Sequence, residues 1–544
     1  MSLRIRKVKK RVTSFVLVFA CLVSLFAMCR SERAEGSVLG TATTVEEIHQ
    51  YFPQSYWEGL ETLLEAHPKW RFAAFDTGLS FERCFDEDAE MRLTRNLVYA
   101  YSTRDLWQVS SWYDTTMEGS YDWWGNQWVA FDSGRWLQAS EEAVRYCMDP
   151  RNFFDEVQIF QFMDGSAAIE RTIAVNAIYE LFQEEGGSYW TQSGRSANLY
   201  YVTQEKNPVY THYLSGDHHF SDPPEEFIEM RHYLSYAEAL AMIGEELGIN
   251  QIMLASRLLQ EQGDGDSYLT SGIYPFELED GTLIKGGYYN YFNINAQGNT
   301  TKEICTNGLR RAYEEGWDTR YKSLYGGSAV YRDVFLAQGQ STLYFQKFNV
   351  DASSDGLFWR QYMQNITAPQ SEAEYLYDTL ENVRGLDASL TFLIPVFYNM
   401  PETPCARPTE DGNPNYKLAE IAINGDPIPG FHYDVHQYKG VTFGRDQTSF
   451  SLSIMTLADT SDVEVYLSSM RPDSENYQGE AVELDFSTVW DEDYLRGLYT
   501  ALVSVPIGLL YVTVNVTAEN GDSTTYYFRI DKEEAASFVM TWSN

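Results

Sequence analysis

Positive charge is scarce in this 544-residue sequence, which has 40 lysines and arginines against 78 aspartates and glutamates and a formal net charge of −38. The only dense basic run is RIRKVKKR, at residues 4–11. Proteins that bind nucleic acid or an anionic membrane surface present a basic face, so the charge argues against both kinds of partner. An acidic, solvated exterior instead keeps an exported protein soluble.

Cysteine and histidine are also scarce, with 6 and 8 copies, and neither shows the spacing of a metal site or of a catalytic triad. We therefore expect no metal and no cofactor. Two cysteines lie in the N-terminal apolar segment. The other four are far apart and could form one or two disulfides outside the cell or serve as small buried side chains. These four are Cys84, Cys147, Cys305 and Cys405.

Long uncharged runs are few. The first, from Val12 to Cys29, follows the basic run and is typical of an export signal or of an uncleaved membrane anchor. We therefore assign residues 1–35 to a signal peptide or N-terminal membrane anchor. Because positive charges stay on the cytoplasmic side, both alternatives place the rest of the chain outside the membrane.

Aromatic residues, by contrast, are plentiful, at 15% of the chain. Their faces stack on sugar rings, so the composition suits a carbohydrate-binding protein, although any single aromatic is more simply a core residue.

The pattern of predicted secondary structure changes along the chain. Helical and mixed patterns occupy residues 45–402, including an N-terminal α/β extension at about 45–165. A linker rich in proline, glycine and asparagine follows at 403–416. Alternating β-rich segments then predict an all-β sandwich at 417–534, with Asn520-Gly521-Asp522 as a hairpin turn.

Residues 235–263, SYAEALAMIGEELGINQIMLASRLLQEQG, predict two consecutive helices. A capping box at Ser235 begins the first helix and Gly248 ends it. Asn250 is the N-cap of the second helix, and Gly263 closes it.

Glu261 lies in the last turn of this second, largely apolar helix. The partial negative charge at a helix C-terminus disfavours a carboxylate, and partial burial adds to the effect. A glycosidase needs a carboxylic acid that is still protonated near neutral pH, so position and requirement agree. On pattern alone, an ordinary surface glutamate is the simpler interpretation.

The segment after Glu261 begins with a glycine-rich loop. It continues at residues 274–298 with YPFELEDGTLIKGGYYNYFNINAQG, which predicts a hairpin with its turn at Asp280-Gly281 and an aromatic cluster with amides. Such a mixture suits sugar hydroxyl and N-acetyl groups. An aromatic core strand is the alternative, and we favour it for Phe292.

Ordered blocks across most of residues 50–401 resemble the glucosaminidase domain of glycoside hydrolase family 73, in its clostridial and bacillar endo-β-N-acetylglucosaminidase form. The resemblance implies an α+β protein whose mainly α, lysozyme-like glucosaminidase domain has a β-hairpin lobe and precedes the all-β sandwich. It also implies a bacterial autolysin that hydrolyses the bond after GlcNAc in peptidoglycan, with Glu261 as general acid. The blocks are FPQSYWEGLETLLEAHPKWRFAAFDTGLSF (52–81), MDPRNFFDEVQIFQF (148–162), ASRLLQEQG (255–263), GYYNYFNINAQG (287–298), YKSLYGGSAVYRDVFLAQGQSTLYFQKFNV (321–350), QYMQNITAP (361–369) and IPVFYNMP (394–401).

A second catalytic group is less well defined. An inverting enzyme needs a base roughly 6.5–9.5 Å from the acid, and Glu277 and Glu279 in the hairpin fit the family's usual placement. We prefer Glu279, which is nearer the turn, although each is more simply a solvated side chain. In the alternative mechanism the substrate's own N-acetyl group attacks, assisted by a polar residue. The predicted substrate-binding residues are Gln262, Tyr288, Tyr289, Asn290, Tyr291 and Asn293.

The C-terminal region resembles the cadherin-like modules of bacterial surface enzymes, through LAEIAINGDPIPGF (418–431) and VTVNVTAENGDSTTYYFRI (512–530). This resemblance implies wall attachment or spacing without chemistry. We expect a monomer whose partner is the peptidoglycan glycan strand, in the cell wall or at the outer face of the cytoplasmic membrane. The alternatives are a lysozyme-like muramidase, a lytic transglycosylase, or a non-catalytic protein that binds wall glycan.

Overall fold

The computed structural model describes residues 36–90, 96–100, 109–131, 135–184, 186, 188–191, 234–265, 267–354, 356–359, 361 and 364–533. The predicted signal peptide or anchor at 1–35 lies outside these residues. Among the residues described, no helix is both long enough and apolar enough to cross a membrane.

The helices are concentrated between residues 141 and 382. In chain order they are α1 (Val45–Tyr51), α2 (Trp57–Ala66), α3 (Phe81–Glu90), α4 (Glu141–Met148), α5 (Arg171–Glu184), α6 (Ser188–Thr191), α7 (Tyr236–Leu247), α8 (Gln251–Gln262), α9 (Tyr268–Ser271), α10 (Thr301–Glu314), α11 (Arg320–Val334), α12 (Leu343–Phe348) and α13 (Ala368–Asn382).

Most strands lie in the last quarter of the chain. They are β1 (Ser37–Ala42), β2 (Arg71–Ser80), β3 (Leu97–Tyr99), β4 (Tyr121–Asp122), β5 (Gln127–Trp128), β6 (Trp136–Gln138), β7 (Phe276–Glu277), β8 (Leu283–Ile284), β9 (Thr391–Tyr398), β10 (Leu418–Ile423), β11 (Asp426–Pro427), β12 (Val441–Phe443), β13 (Ser449–Thr456), β14 (Asp462–Ser468), β15 (Glu480–Val482), β16 (Asp485–Asp491), β17 (Tyr494–Ser504), β18 (Gly508–Thr517) and β19 (Ser523–Lys532).

The chain forms two units, and each is built from two separate stretches of sequence. The first unit contains Met1–Glu90 and Met148–Pro404, and the second contains Met91–Cys147 and Cys405–Asn544. Residues 91–147 therefore belong with the C-terminal stretch, whereas the sequence interpretation places them in the N-terminal extension at 45–165.

Arg496 shows why residues 91–147 join the second unit. Its buried guanidinium lies 5.1 Å from the ring centroid of Trp124 and 4.6 Å from that of Tyr494. The same side chain donates hydrogen bonds to the backbone oxygens of Leu457 (2.6 Å) and Trp124 (3.0 Å). A buried charge of this kind is strongly destabilising when its partners are removed, so the contact makes the two stretches interdependent.

The rest of the second unit consists of two five-stranded sheets, ordered β11-β10-β13-β17-β16 and β12-β19-β18-β14-β15. Both sheets contribute to one hydrophobic core, as expected of a β-sandwich. Burial alternates along β13, so that Phe450, Leu452 and Ile454 face the core. Burying each such side chain contributes roughly 1.5–3 kcal/mol to the free energy of folding, relative to leaving it exposed. The predicted hairpin around Asn520-Gly521-Asp522 is confirmed, since β18 and β19 pair on either side of it.

In the first unit, a three-stranded sheet places β2 between β1 and β9, antiparallel to the former and parallel to the latter. Beside it, α5, α7, α8 and α11 contribute to a second hydrophobic core. Phe292 is buried in that core, as predicted, but it lies in a turn and not in the predicted strand. Cys84 and Cys305 are buried, and burial raises the pKa of both thiols, so they act as small apolar side chains rather than reactive ones.

The two helices predicted at residues 235–263 form as their caps indicate. Ser235 and Glu238 make the reciprocal capping box of α7, and Gly248 ends that helix in the left-handed conformation. The side chain of Asn250 accepts hydrogen bonds from two backbone N–H groups at the start of α8. The last turn of α8 carries Glu261. The helix itself is anchored in the core by its buried residues.

Candidate active site

Glu261 is half-buried at the C-terminal end of α8, in the turn formed by residues 261–265, which we call the acid turn. Gly263 ends the helix with a φ of 54°, and its N–H donates to the backbone oxygen of Leu259 (2.7 Å). Glycine suits this position because a side chain disfavours positive φ. The carboxyl group therefore lies at the negative end of the helix dipole, partly shielded from water.

Gln262, one of the predicted substrate-binding residues, is buried and serves as an internal link. Its Nε2 group donates to the backbone oxygen of Tyr291 (3.0 Å) and to Oδ1 of Asn293 (2.8 Å). Its Oε1 atom accepts from the hydroxyl of Ser267 (2.8 Å). With both ends of the amide satisfied inside the protein, Gln262 joins the acid turn to the segment around residues 290–293.

Asn293 contacts the candidate acid directly. Its Nδ2 group donates to the backbone oxygen of Glu261 (2.7 Å) and to Oε2 of the same residue (3.2 Å). Asn293 has a φ of 51°, a left-handed conformation that asparagine tolerates better than most side chains. The structure thus brings Glu261, Gln262 and Asn293 together.

Asn290 is fully buried and its amide is used within the fold. Its Nδ2 group donates to the backbone oxygens of Ile294 (2.8 Å) and Gly308 (2.9 Å), and its Oδ1 accepts from the N–H of Ile294 (3.0 Å). These bonds account for both donors and one acceptor position of the amide. Asn290 therefore shapes the loop.

Tyr291 belongs to a buried cluster of hydroxyl groups. Its hydroxyl lies 2.6 Å from that of Tyr236 and 3.2 Å from that of Tyr189, and it accepts from Nε of Arg320 (3.2 Å). Burial raises the pKa of Tyr236 and of Tyr291 well above the ordinary value. Both phenols therefore stay protonated at neutral pH and act as hydrogen-bonding groups.

Tyr288 and Tyr289 differ in exposure. Tyr289 is buried, with its ring 5.2 Å from the guanidinium carbon of Arg320, and it fills the space that a side chain at Gly272 would need. Tyr288 is half-buried, and its ring packs against that of Tyr313 at 5.1 Å. Of the two tyrosines, Tyr288 has the larger surface available to a ligand.

Glu277 and Glu279 are both exposed on the β7–β8 hairpin, which forms with Asp280 and Gly281 in its turn, as predicted. The backbone oxygen of Glu277 accepts from Nε of Arg310 (2.5 Å), which fixes the start of the hairpin but leaves the carboxylate to solvent. The pairing of either carboxylate with Glu261 stays a prediction.

Several residues that have no predicted role hold the acid turn. Trp190 donates from its indole Nε1 to the backbone oxygen of Gly263 (2.9 Å), and the ring of Tyr189 occupies the space next to Gly265. No local pattern marks these contacts, because α6 and the acid turn are far apart in the sequence. Tyr268 was also missed, although its exposed ring lies 5.0 Å from that of Tyr274 just after the acid turn.

A buried polar group lies one helical turn before Glu261 on α8. Arg257 donates to Gln260 (2.5 Å) and to Gln346 (2.7 Å), and its guanidinium carbon lies 5.6 Å from the Tyr331 ring centroid. Burial raises the pKa of Glu372, against the opposing effects of Arg257 and Gln260. A signal was present in the sequence, because an arginine between the apolar residues of a buried helix needs internal partners.

In the part of the chain that the structure describes, no group of three or more histidine, cysteine or acidic side chains could hold a metal ion.

No family model matches the chain. Over 102 residues, which is 19% of this chain, it is 33% identical to the bifunctional autolysins of Staphylococcus aureus strains Mu50 and N315. The match covers 8% of each autolysin, so the chain spans only a small part of the curated relatives that it matches.

Two solved structures also match parts of the chain, both with a TM-score of 0.12. One is a DUF4426 family protein from Pseudomonas aeruginosa, 16% identical, with 16% of this chain and 80% of that chain covered. The other is a twitchin kinase region from C. elegans, 11% identical, with 44% and 39% covered. Neither likeness bears on fold or function.

Proposed function

We propose that the protein is a peptidoglycan hydrolase, and more specifically an endo-β-N-acetylglucosaminidase that cleaves the β-1,4 bond after GlcNAc with Glu261 as general acid. The observation that carries the proposal is the setting of Glu261, which is half-buried at the end of a core helix and held by the Asn293 amide. The segment that is 33% identical to bifunctional autolysins supports the hydrolase class.

The chemistry follows from this setting. A glycosidase acid gives its proton to the oxygen of the leaving sugar as the glycosidic bond breaks. Glu261 is half-buried at the end of α8, and Asn293 positions its carboxyl group for that transfer. Such a positioned acid contributes typically 10²–10⁴-fold to the rate.

Two routes for the attack on the sugar carbon remain compatible with this acid. In an inverting reaction, Glu279 or Glu277 activates water, and the hairpin closes over the bound glycan. In the substrate-assisted reaction, the N-acetyl group of the substrate attacks, and a tyrosine or amide orients it. Tyr288 suits that second role better than Tyr289 or Asn290, because it is half-buried and they are buried.

The exposed Tyr268 is a candidate platform for a sugar ring. It follows the acid turn directly and exposes 46% of its surface, while Tyr274 supports its ring. Aromatic side chains with one open face suit the apolar face of a pyranose. The second unit, whose sequence resembles cadherin-like modules, would serve wall attachment or spacing in a protein that acts outside the cell.

The test is digestion of purified peptidoglycan by the full chain, followed by mass spectrometry of the released glycan. Reducing GlcNAc ends are expected. Reducing MurNAc ends would indicate a muramidase, and anhydro-MurNAc ends a lytic transglycosylase. Wall binding without release of any sugar end would instead indicate a non-catalytic glycan-binding protein.

A further inference from the structure

A chain of three amide and hydroxyl contacts ends at the carboxyl group of Glu261. The hydroxyl of Ser267 donates to Gln262, Gln262 donates to Asn293, and Asn293 donates to Glu261. The last contact joins Nδ2 of Asn293 to Oε2 of the carboxyl at 3.2 Å, and the same Nδ2 donates to the backbone oxygen of Glu261 at 2.7 Å.

The direction of this chain is fixed by the groups at its far end. Nε2 of Gln262 faces the backbone oxygen of Tyr291, which can only accept, so the other end of the Gln262 amide accepts from Ser267. Oδ1 of Asn293 must then accept from Gln262. The Asn293 amide is therefore oriented with its donor, and not its acceptor, towards Glu261.

Both oxygens of a carboxylic acid have lone pairs, but the carbonyl oxygen accepts an N–H hydrogen bond more strongly than the hydroxyl oxygen does. If Oε2 of Glu261 accepts from Asn293, the acidic proton belongs on Oε1. We propose that Asn293 is a positioning residue for Glu261, which holds Oε2 as the accepting oxygen and so leaves Oε1 to carry the transferred proton. This inference rests on the proposed function and replaces the earlier interpretation of Asn293 as a substrate-binding residue.

The same contact changes in strength during the reaction. Oε1 gives its proton to the glycosidic oxygen, and the bond from that oxygen to the sugar carbon breaks with both electrons going to the oxygen. Water then supplies a hydroxyl group to the sugar carbon. Its remaining proton goes to Glu261 in the substrate-assisted reaction, or to the base in the inverting reaction, after which exchange with solvent restores Glu261. While Glu261 is a carboxylate, the bond from Asn293 is charge-assisted and stronger than before, so it favours the transition state over the bound substrate.

The first test is Asn293→Gly, with Asn295→Gly as a matched control. Both asparagines have left-handed backbones, with φ of 51° and 58°, so glycine fits either position without strain. On soluble peptidoglycan glycan strands, Asn293→Gly should lower kcat about 10- to 100-fold and leave KM within about 2-fold. Asn295→Gly should change neither. A rise in KM with unchanged kcat would overturn the proposal in favour of substrate binding.

The second readout is the dependence on the leaving group. A dinitrophenyl chito-oligosaccharide releases a phenolate that needs no proton, whereas a natural glycan needs the acid. Asn293→Gly should therefore recover nearly wild-type kcat on the dinitrophenyl substrate. An equal loss on both substrates would show that the substitution disturbs the site in general and would contradict a specific effect on the acid.

A third variant covers the case in which Asn293→Gly does not fold. Asn293→Asp keeps the shape and the oxygen that accepts from Gln262, but it replaces the donor with an anionic oxygen. Its kcat on natural glycan should fall at least as far as that of Asn293→Gly, and unchanged kcat would refute the proposal. If the wild-type chain cleaves glycan and the Asn293 variants cleave it with the same kcat, the positioning role of Asn293 is refuted but the proposed function is not. If the wild-type chain cleaves no glycan, the proposed function fails first.

Discussion

The acid turn and the β7–β8 hairpin follow one another in the sequence, carry the acidic groups of the candidate site, and are held very differently. Around the acid turn, Trp190, Asn293 and Gln262 each make a specific hydrogen bond, and the turn packs on a buried helix. In the hairpin, Glu277 and Glu279 are exposed. One carboxyl group is thus fixed in place before any substrate arrives, whereas the other two would need a ligand to position them.

The largest expected effect is on activity. Glu261→Gln should lower glycan hydrolysis by about 10²–10⁴-fold with a nearly unchanged melting temperature, because the amide has the same size and keeps an oxygen that accepts from Asn293 but cannot serve as the acid. If the reaction is substrate-assisted, Glu277→Gln and Glu279→Gln should each lower activity by less than about 3-fold, because both side chains are exposed. Zymograms and initial rates check both. A loss at Glu279 as large as that at Glu261 would identify the base of an inverting mechanism and remove the contrast between the two segments.

The next effect compares two glycines. Gly265 and Gly281 both have positive φ, at 80° and 83°, but only Gly265 has a side chain, that of Tyr189, where a methyl group would point. Gly281→Ala should cost about 1–2 kcal/mol of unfolding free energy from backbone strain alone. Gly265→Ala should cost about 1–3 kcal/mol more, because Tyr189 must move. Equal costs in urea titrations would mean that the acid turn is no more tightly packed than the hairpin.

Trp190 tests whether the contact to Gly263 affects the acid. Trp190→Phe removes the indole donor and should cost about 1 kcal/mol for the bond, with a several-fold fall in kcat. Trp70→Phe is the matched control, since Trp70 is also buried and donates to a backbone oxygen, that of Leu386 (3.0 Å). It should lower stability similarly and leave kcat unchanged. The same kcat in both variants would show that the acid turn does not depend on Trp190.

The smallest effect concerns Glu372, a buried carboxyl group close to Arg257 and Gln260 of α8. Burial raises the pKa of Glu372 above the unfolded value of 4.5, so this carboxyl favours the folded state at low pH and loses that contribution as pH rises through the folded-state pKa. Glu372→Gln removes this dependence. The free energy of unfolding of the variant minus that of the wild type should therefore be larger at about pH 7 than at about pH 4. A stability difference that does not change with pH would contradict a buried, titrating carboxyl group.

Local signals in the sequence were sufficient for the elements that carry the site. Ser235, Asn250 and Gly263 mark the ends of α7 and α8 because helix caps are satisfied within a few residues. The turn at Asp280-Gly281 was also predictable, because a turn depends on the residues within it. The position of Glu261 in the last turn of α8 followed from these boundaries.

Contacts between distant segments could not be predicted in this way. Tyr189, Tyr236 and Tyr291 meet from three parts of the chain, and no pattern within any one part shows that their hydroxyls lie together. Likewise, the sequence predicted Asn293 as a substrate-binding residue, but not that its amide points at the acid. The orientation depends on Gln262 and Ser267, and so on the folded structure.

The second unit is built from two stretches that are far apart in the sequence, and this has a consequence for how the protein folds during synthesis. Trp123 and Trp124 are synthesised long before their partners, because Asn415 donates to the backbone oxygen of Trp123 (2.8 Å) and Arg496 to that of Trp124. The whole polypeptide from Met148 to Pro404 emerges between the two halves. Domains generally fold as units during translation, so the first unit can fold while residues 91–147 have been synthesised but the sheets of the second unit have not. A chain that stops at the predicted linker would leave both tryptophans without these partners, and would be the form most exposed to aggregation and proteolysis.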